Sequence, residues 1–187
     1  MKRRLPALIA VLIVVALVVA GVIVSTQQSR SALIHTYTGS PTAFSFQYPD
    51  GWQVSIPIQN ILLLADPAAQ RGEPGATFTV QRSTALADEG SLGAALNTYL
   101  RQGALRPDRA WQQIGEVVTT ALDGREALQL DLEGGDSPTD PQFHSRVVAA
   151  QAANGLIYVF ALNAPLAQWS TSAPLLEAVL ASARILE

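Results

Sequence analysis

Four acidic side chains lie close together late in the sequence, and they are the residues best suited to bind a metal ion. They are Asp131, Glu133, Asp136 and Asp140, with two glycines at positions 134 and 135 between them. Calcium takes about six to eight oxygen ligands, and glycines let a loop bend tightly around the ion. The spacing does not match an EF-hand, which needs acids at alternate positions and a closing glutamate. Calcium therefore stays a candidate ligand without a recognised motif.

The same acids allow two other interpretations. Asp131 and Glu133 alternate with leucines at positions 130 and 132, which is typical of the solvent-facing side of a strand. Alternatively, Asp131 or Asp136 would serve a carboxylate-dependent hydrolase, which requires two acids that converge in a cleft with shifted pKa values.

Other catalytic residue sets are scarce. The two histidines, His35 and His144, are far apart in the sequence, and neither is flanked by a serine or carboxylate motif. The sequence contains neither the Gly-x-Ser-x-Gly pattern of serine hydrolases nor a phosphate-binding glycine loop. With no cysteine, it has no thiolate site, no disulfide and no lipid-modified cysteine. We therefore expect a protein that is not an enzyme and needs no cofactor.

Three tryptophans are candidates for recognition. Trp52 follows a turn and is expected in the core, whereas Trp111 and Trp169 lie near the ends of predicted elements. Partly exposed tryptophans are enriched at binding surfaces. Trp111 and Trp169 are therefore the candidate partner-binding residues.

Most of the elements that would position these residues are predicted strands. Phe44, Phe46 and Tyr48 alternate with smaller or polar residues, and Pro49-Asp50-Gly51 predicts a hairpin into the next strand. Further strands are predicted at 61–64, 76–82, 111–122, 125–133, 143–153 and 156–163. Asp123-Gly124 and Asn154-Gly155 predict tight hairpin turns between the later pairs.

Two helices are predicted by a different periodicity. From Ser91, a good N-cap, apolar residues recur at helical spacing until Gly103. A second helix begins at about Ala173, with Pro174 in its first turn. The strand at 156–163 is apolar on both faces, so we expect helices to cover each side of the sheet. The prediction is an α+β fold, an antiparallel sheet of about six to eight strands with helices on both faces.

The N-terminus carries the signal of a membrane segment. Residues 1–4 include three basic residues, and residues 5–24 are uncharged and apolar, long enough to span a bilayer as a helix. A cleaved signal peptide is the alternative, but the apolar run continues past the possible cleavage site. We expect a single-pass signal-anchor at 5–24, a tether at 25–41 and an extracytoplasmic domain at 42–187, which would be secreted if the leader were cleaved.

The charge balance excludes some partners. Beyond residue 4 the chain has nine arginines and 15 acidic residues, a balance of 9 − 15 = −6. A net-acidic domain without a basic run is a poor nucleic-acid binder, because phosphate neutralisation supplies most non-specific affinity. We expect no nucleic acid, contact with the membrane through the N-terminal helix, and other envelope or membrane proteins as partners.

The order of elements is similar to a known family. The run from Phe44 to Trp52 resembles the opening of PsbP-like domains, an aromatic strand followed by Tyr-Pro-x-Gly-Trp. The Asp-Gly hairpin and the strand Gly155-Leu-Ile-Tyr-Val-Phe, which leads to a terminal helix, are also similar. The resemblance covers about residues 42–187. It implies the α/β/α sandwich that PsbP-like domains share with the Ran-binding Mog-type proteins, in a bacterial, membrane-anchored member.

The resemblance carries over no site residue. Plant PsbP proteins are extrinsic subunits of photosystem II, but this domain lacks lysine and is preceded by a hydrophobic segment. We therefore expect a non-catalytic, membrane-tethered binding or accessory domain. The alternative is a carrier or sensor of a small apolar or lipidic ligand held between sheet and helix.

Overall fold

The structure, a computed structural model, describes residues 32–39, 43–58 and 60–186. Within these residues the chain forms ten strands, three α-helices and two short 3-10 helices, Ala85–Glu89 and Leu166–Gln168. The helices are α1 (Pro67–Gln70), α2 (Leu92–Gln102) and α3 (Trp169–Ala181). The strands are β1 (Leu33–Gly39), β2 (Phe44–Pro49), β3 (Gln53–Ile58), β4 (Ile61–Ala65), β5 (Thr77–Ser83), β6 (Gln112–Leu122), β7 (Arg125–Gly134), β8 (Phe143–Gln151), β9 (Ile157–Pro165) and β10 (Arg184–Ile185).

Seven of the strands form one large antiparallel sheet in the order β3-β4-β5-β9-β8-β7-β6. Every neighbouring pair in it is antiparallel. The predicted α+β class with a large antiparallel sheet is therefore confirmed. Local sequence explains the tight β6–β7 hairpin, where Asp123 and Gly124 both have positive φ, 52° and 73°, as a type I′ turn requires.

The two faces of strand β9 lie in different hydrophobic clusters. Tyr158, fully buried, packs on one side with Phe44 of β2 and with Leu176 of α3. Ile157, also buried, packs on the other side with Leu96 of α2. Both faces are enclosed, as the apolar run on both sides of this strand predicts.

The first strands differ from the prediction. Strand β2 does not pair with β3; it pairs with β1 and β10 in a separate three-stranded sheet. Pro49-Asp50-Gly51 is therefore not a hairpin turn but a corner at which the chain passes from one sheet to the other. A turn signal in the sequence marks the reversal, but it does not state which strand becomes the neighbour.

The predicted tether also contains structure. Strand β1 lies within residues 25–41, and half-buried Leu33 and Tyr37 pack against the larger core cluster. The predicted boundary at residue 42 thus falls inside a paired hairpin, because Gly39 is opposite Phe44. The period-two pattern of Leu33, His35 and Tyr37 was the available signal.

Two predicted elements in the second half have different limits. Helix α3 begins at Trp169 rather than near Ala173, so Pro174 is inside the helix instead of in its first turn. The turn at Asn154-Gly155 is wider than predicted: only Gly155 has positive φ, and Ala152 N–H donates to the Leu156 carbonyl 2.9 Å away. The asparagine side chain holds this wider loop by accepting from Leu156 N–H at 3.0 Å.

The predicted membrane segment, residues 5–24, and the basic residues before it lie outside the described residues. Among the described helices, none combines the length and hydrophobicity that a bilayer crossing requires.

Candidate functional site

An open cleft of about 580 Å³ lies at one end of the large sheet. Strands β4, β7 and β9 end there, and β5, β6 and β8 begin there. We call this space the outer cleft. Its walls include Glu73, Trp111, Asp136, Asp140, Phe143 and Asn163. The volume lies within the range of about 300–1,000 Å³ that is usual for small-molecule sites.

One wall of the outer cleft is the segment that joins β4 to β5, and Asp66 holds it in place. The Asp66 carboxylate caps helix α1 by accepting from Ala69 N–H at 2.7 Å, and its other oxygen accepts from Ala76 N–H at 2.8 Å. Gly75 passes so close that a Cβ there would lie 2.3 Å from the Asp66 carboxylate. The wall is therefore organised by its own hydrogen bonds before any ligand arrives.

The opposite wall is positioned by a second glycine contact. Gly134 has φ of +146°, and a Cβ at this position would lie 2.2 Å from the Ala110 carbonyl oxygen and 2.6 Å from Trp111 Cα. Ala110 N–H also donates to the Gly135 carbonyl at 3.1 Å. This close backbone approach fixes the point at which Trp111 enters the cleft.

A smaller cavity of about 210 Å³ lies behind the outer cleft, between helix α2 and the sheet. We call it the inner cavity. Trp111 and Asn163 line both spaces. The polar residues around the inner cavity come from separate elements and are Thr79, Tyr99, Arg109, Trp111, Ser145 and Asn163.

The inner cavity is lined by hydrogen-bonding groups that lack protein partners. The Trp111 indole Nε1 is buried and has no hydrogen-bond partner among the described residues. Ser145 is only 4% exposed, and no described residue bonds to its hydroxyl or to that of Tyr99. Burial raises the pKa of the Tyr99 phenol, which keeps the group a neutral donor. Because an unpaired buried donor is costly, the Trp111 N–H is prepared for water or a polar ligand.

The four acids predicted as a metal site divide into two separate places. Asp131 and Glu133 lie on the α3 side of the sheet, where Arg146 donates to Asp131 at 2.8 and 2.9 Å. Asp136 and Asp140 lie instead at the outer cleft. Among the described residues, no group of three or more histidine or acidic side chains is arranged to hold a metal ion.

The two histidines, His35 and His144, also lie on different strands and contact different acids. His35 in β1 contacts the exposed Asp50 at 3.0 Å, and that hydrogen bond lowers the pKa of Asp50. His144 in β8 is buried, and its Nδ1 lies 3.1 Å from Glu133.

The two candidate tryptophans have different surroundings. Trp169 is half-buried against the His144 ring, with the guanidinium carbon of Arg146 5.7 Å from the Trp169 ring centroid. Hydrogen bonds to Asp131 raise the pKa of Arg146, so this assembly carries a fixed positive charge that is paired with acids. Trp111, by contrast, forms part of two cavity walls. The sequence pointed to Trp111 but not to Tyr99, Arg109, Ser145 or Asn163, since no common spacing links them.

Comparisons with known proteins bear on the fold. No family model matches the sequence, and no curated protein matches it. Among solved structures, cyanobacterial PsbP (CyanoP) from Synechocystis sp. PCC 6803 is similar, with a TM-score of 0.58 and 18% identity over 82% of this chain and 93% of that one. The Saccharomyces cerevisiae Ran-binding protein Mog1p is similar with a TM-score of 0.57 and 11% identity, covering 82% of this chain and 95% of its own.

A third similar structure is LpqN of Mycobacterium tuberculosis, described as involved in cell envelope biogenesis. Its TM-score is 0.54 at 16% identity, over 80% of this chain and 91% of that one. At these identities the likeness concerns the fold alone. The chain therefore has the PsbP-like fold, the architecture that it shares with CyanoP, Mog1p and LpqN.

Proposed function

We propose that this chain is a non-catalytic binding domain, tethered outside the cytoplasm by its N-terminal hydrophobic segment, with the outer cleft and inner cavity as its binding site. The observation that carries the proposal is the Trp111 indole N–H, buried without a partner in the wall that both spaces share. A domain that only packed its own core would gain stability by pairing or exposing this donor.

The chemistry of the cleft favours binding over catalysis. Asp136 is paired with Arg109 at 3.1 Å and Glu73 with Arg71 at 2.8 Å, so a guanidinium group already engages each of these carboxylates. Asp131, the other acid of the hydrolase hypothesis, is held by Arg146 on the α3 side of the sheet. Asp131 and Asp136 therefore lie apart and do not converge on one substrate position, as a carboxylate-dependent hydrolase that used both would need.

The dimensions favour a small ligand over a long lipid chain. The inner cavity, about 210 Å³, is smaller than ordinary ligand pockets and is lined by hydroxyl, amide and guanidinium groups as well as apolar side chains. The residues of the neighbouring cluster around Leu96 and Ile157 are buried. A carrier of a lipidic ligand would need a longer apolar tunnel than this arrangement offers.

An envelope setting is supported by the basic and apolar N-terminus and by the likeness to LpqN. Because the chain lacks cysteine, one introduced cysteine can report its side of the membrane. We expect Ser170→Cys, exposed on α3, to react with a membrane-impermeant maleimide in intact bacteria. The matched variant Arg4→Cys should react only after permeabilisation. Equal labelling of both variants in intact cells would contradict the proposed topology.

Binding at the cleft is tested by site-specific photocrosslinking in native membranes. A benzophenone amino acid at Glu73, exposed at the cleft, should yield a covalent adduct with a small molecule or with another envelope protein. The control position is Glu126, which is exposed near the opposite end of β7. Adducts that are equally abundant at both positions, or absent from both, would contradict the assignment of the cleft as the binding site.

A further inference from the structure

We propose that the outer cleft and the inner cavity together bind a small zwitterion of the amino-acid type. Its carboxylate would lie in the inner cavity and its ammonium group at the outer cleft. This inference rests on the proposed function and adds the chemical class of the ligand. The supporting observation is that hydrogen-bond donors and an arginine line the inner cavity, whereas carboxylates line the outer cleft.

The inner cavity is built from donors. Among the residues that the structure describes, Arg109 is the only charged one that lines it, and no aspartate or glutamate does. The Trp111 N–H is buried and unpaired there, and the hydroxyls of Tyr99 and Ser145 are bonded to no described residue. A carboxylate offers two acceptor oxygens, which is what several convergent donors beside one guanidinium are able to bind.

The outer cleft has the opposite character. Glu73, Asp136 and Asp140 line it, and within the described part of the chain no lysine or arginine does. Glu73 and Asp136 are already paired with Arg71 and Arg109. The Asp140 carboxylate has no partner among the described residues, so it is the free negative charge at this cleft.

The backbone around Asp140 is nevertheless held in place. Gln142 donates to the Asp140 carbonyl at 2.7 Å, and Asp140 N–H donates to the Ser137 carbonyl at 3.2 Å. An ammonium group would find this carboxylate near the ring of Phe143, which also lines the cleft. These hydrogen bonds hold the backbone that carries the Asp140 carboxylate at the cleft.

A ligand with one charge would satisfy only half of this arrangement. A simple carboxylate would have to pass the unpaired Asp140, and like charges repel. A simple amine would contact Asp140 but would leave the donors around Trp111 and Ser145 to water. A small zwitterion meets both demands, and its size suits a cavity of about 210 Å³ that shares Trp111 and Asn163 with a larger cleft.

The experiment compares three probes of matched chain length: 4-aminobutyrate, butyrate and butylamine. Each is titrated into the full chain in lipid nanodiscs while the Trp111 indole N–H resonance is followed, assigned with Trp111→Phe. We expect 4-aminobutyrate to shift this resonance and to bind at least about tenfold more tightly than either singly charged probe, since a charge-assisted bond contributes about that factor.

Two variants test the two ends of the ligand separately. Asp140→Asn should lower the affinity for 4-aminobutyrate about tenfold, close to that for butyrate, and leave butyrate binding no weaker. Ser145→Ala should weaken 4-aminobutyrate and butyrate by about threefold or more without changing butylamine. The control Glu126→Gln removes the same charge near the other end of β7 and should change no affinity by more than about twofold.

The outcomes are distinguishable. Equal binding of the three probes, or equal effects of Asp140→Asn and Glu126→Gln, overturns the zwitterion but leaves binding at the cleft intact. The absence of any shift of the Trp111 resonance also overturns it, and crosslinking at Glu73 then decides independently whether the cleft binds another class of ligand.

Discussion

His144 and Trp169 lie stacked, with ring centroids 4.0 Å apart and planes inclined by 24°. The contact joins strand β8 to the first residue of helix α3. It also explains why α3 begins several residues before the sequence periodicity indicates. The helix is extended toward the start of β8 by a tertiary contact between aromatic rings, which local propensity does not encode.

This stacking predicts a stability effect for Trp169. Trp169→Ala should lower the free energy of unfolding by about 2–3 kcal/mol, less than a fully buried tryptophan would cost, because the ring is half-buried. Trp169→Phe keeps an aromatic ring beside His144, so it should lower the free energy of unfolding by less than about half as much as Trp169→Ala does. Urea unfolding of the full chain in detergent measures both. A stability of Trp169→Ala equal to the parent would show that the stack contributes nothing.

Arg146 predicts a second stability effect, because it bridges two acids on different elements. It donates to Asp131 of β7 and to Glu177 of α3. Arg146→Met keeps the apolar part of the side chain but removes the guanidinium group from both carboxylates and leaves His144 Nε2, 3.8 Å away, beside Asp131, so we expect a loss of about 2 kcal/mol. Adding Asp131→Asn should recover part of this loss, since it removes one unpaired charge.

The control for Arg146 is Arg101→Met, at the exposed end of α2, which should change stability by less than about 0.5 kcal/mol. The coupling between Arg146 and Asp131 is measured by the double-mutant cycle in urea. Strictly additive losses at the two positions would mean that the pair is not energetically coupled.

A pH-dependent prediction concerns Asp50 at the corner after β2. The hydrogen bond from His35 holds the pKa of Asp50 below its ordinary 3.8. A carboxyl group whose pKa is lowered on folding contributes stability above its unfolded pKa, and this contribution is lost as the pH falls through the folded value. The stability that Asp50 contributes should therefore be lost at acidic pH, below about pH 4.

Carboxyl NMR titration of the full chain measures this directly. In His35→Ala the Asp50 pKa should rise toward its ordinary value. Asp108 is the internal control, because Arg106 lowers its pKa by a separate hydrogen bond. If His35→Ala left the pKa of Asp50 unchanged, the contact with His35 would not be the cause of the lowered pKa.

Local signals predicted those elements whose ends are fixed by neighbouring residues. The Ser91 hydroxyl caps helix α2 by accepting from Ala94 N–H at 3.1 Å, and Gly103 ends the helix, both as the sequence indicates. Asp123-Gly124 likewise forms the predicted tight turn. In each case the physical cause lies within four residues of the feature.

Contacts between distant residues could not be predicted in this way. Strand β2 pairs with β10, where Ser45 is opposite Arg184, about three quarters of the chain away. The candidate site is also formed by residues that are distant in the sequence, since Tyr99, Arg109 and Ser145 come from a helix, a loop and a strand. Of the residues that line the inner cavity, Trp111 carried a signal of its own, its aromatic character at the start of a strand; Asp136 and Asp140 of the outer cleft were indicated only as possible metal ligands.

Gly134 offers the sharpest test of how the cleft is built. A methyl group at this position would lie 2.2 Å from the Ala110 carbonyl oxygen, and φ is +146°. Gly134→Ala should therefore cost about 2–4 kcal/mol, since backbone strain and a steric overlap add. It should also move the Trp111 indole resonance, because the overlap displaces the backbone that carries this ring.

The matched control is Gly93→Ala in the first turn of α2. A methyl group there meets only Leu128 Cδ1, at 3.9 Å, and an alanine in a helix is favoured over glycine, so stability should rise by about 0.5 kcal/mol. The expected stability changes have opposite signs at the two glycines. A loss at Gly134 is therefore caused by the backbone geometry there and not by the added methyl group alone. A tolerated Gly134→Ala with an unmoved Trp111 resonance would mean that the wall of the cleft is not set by this close approach.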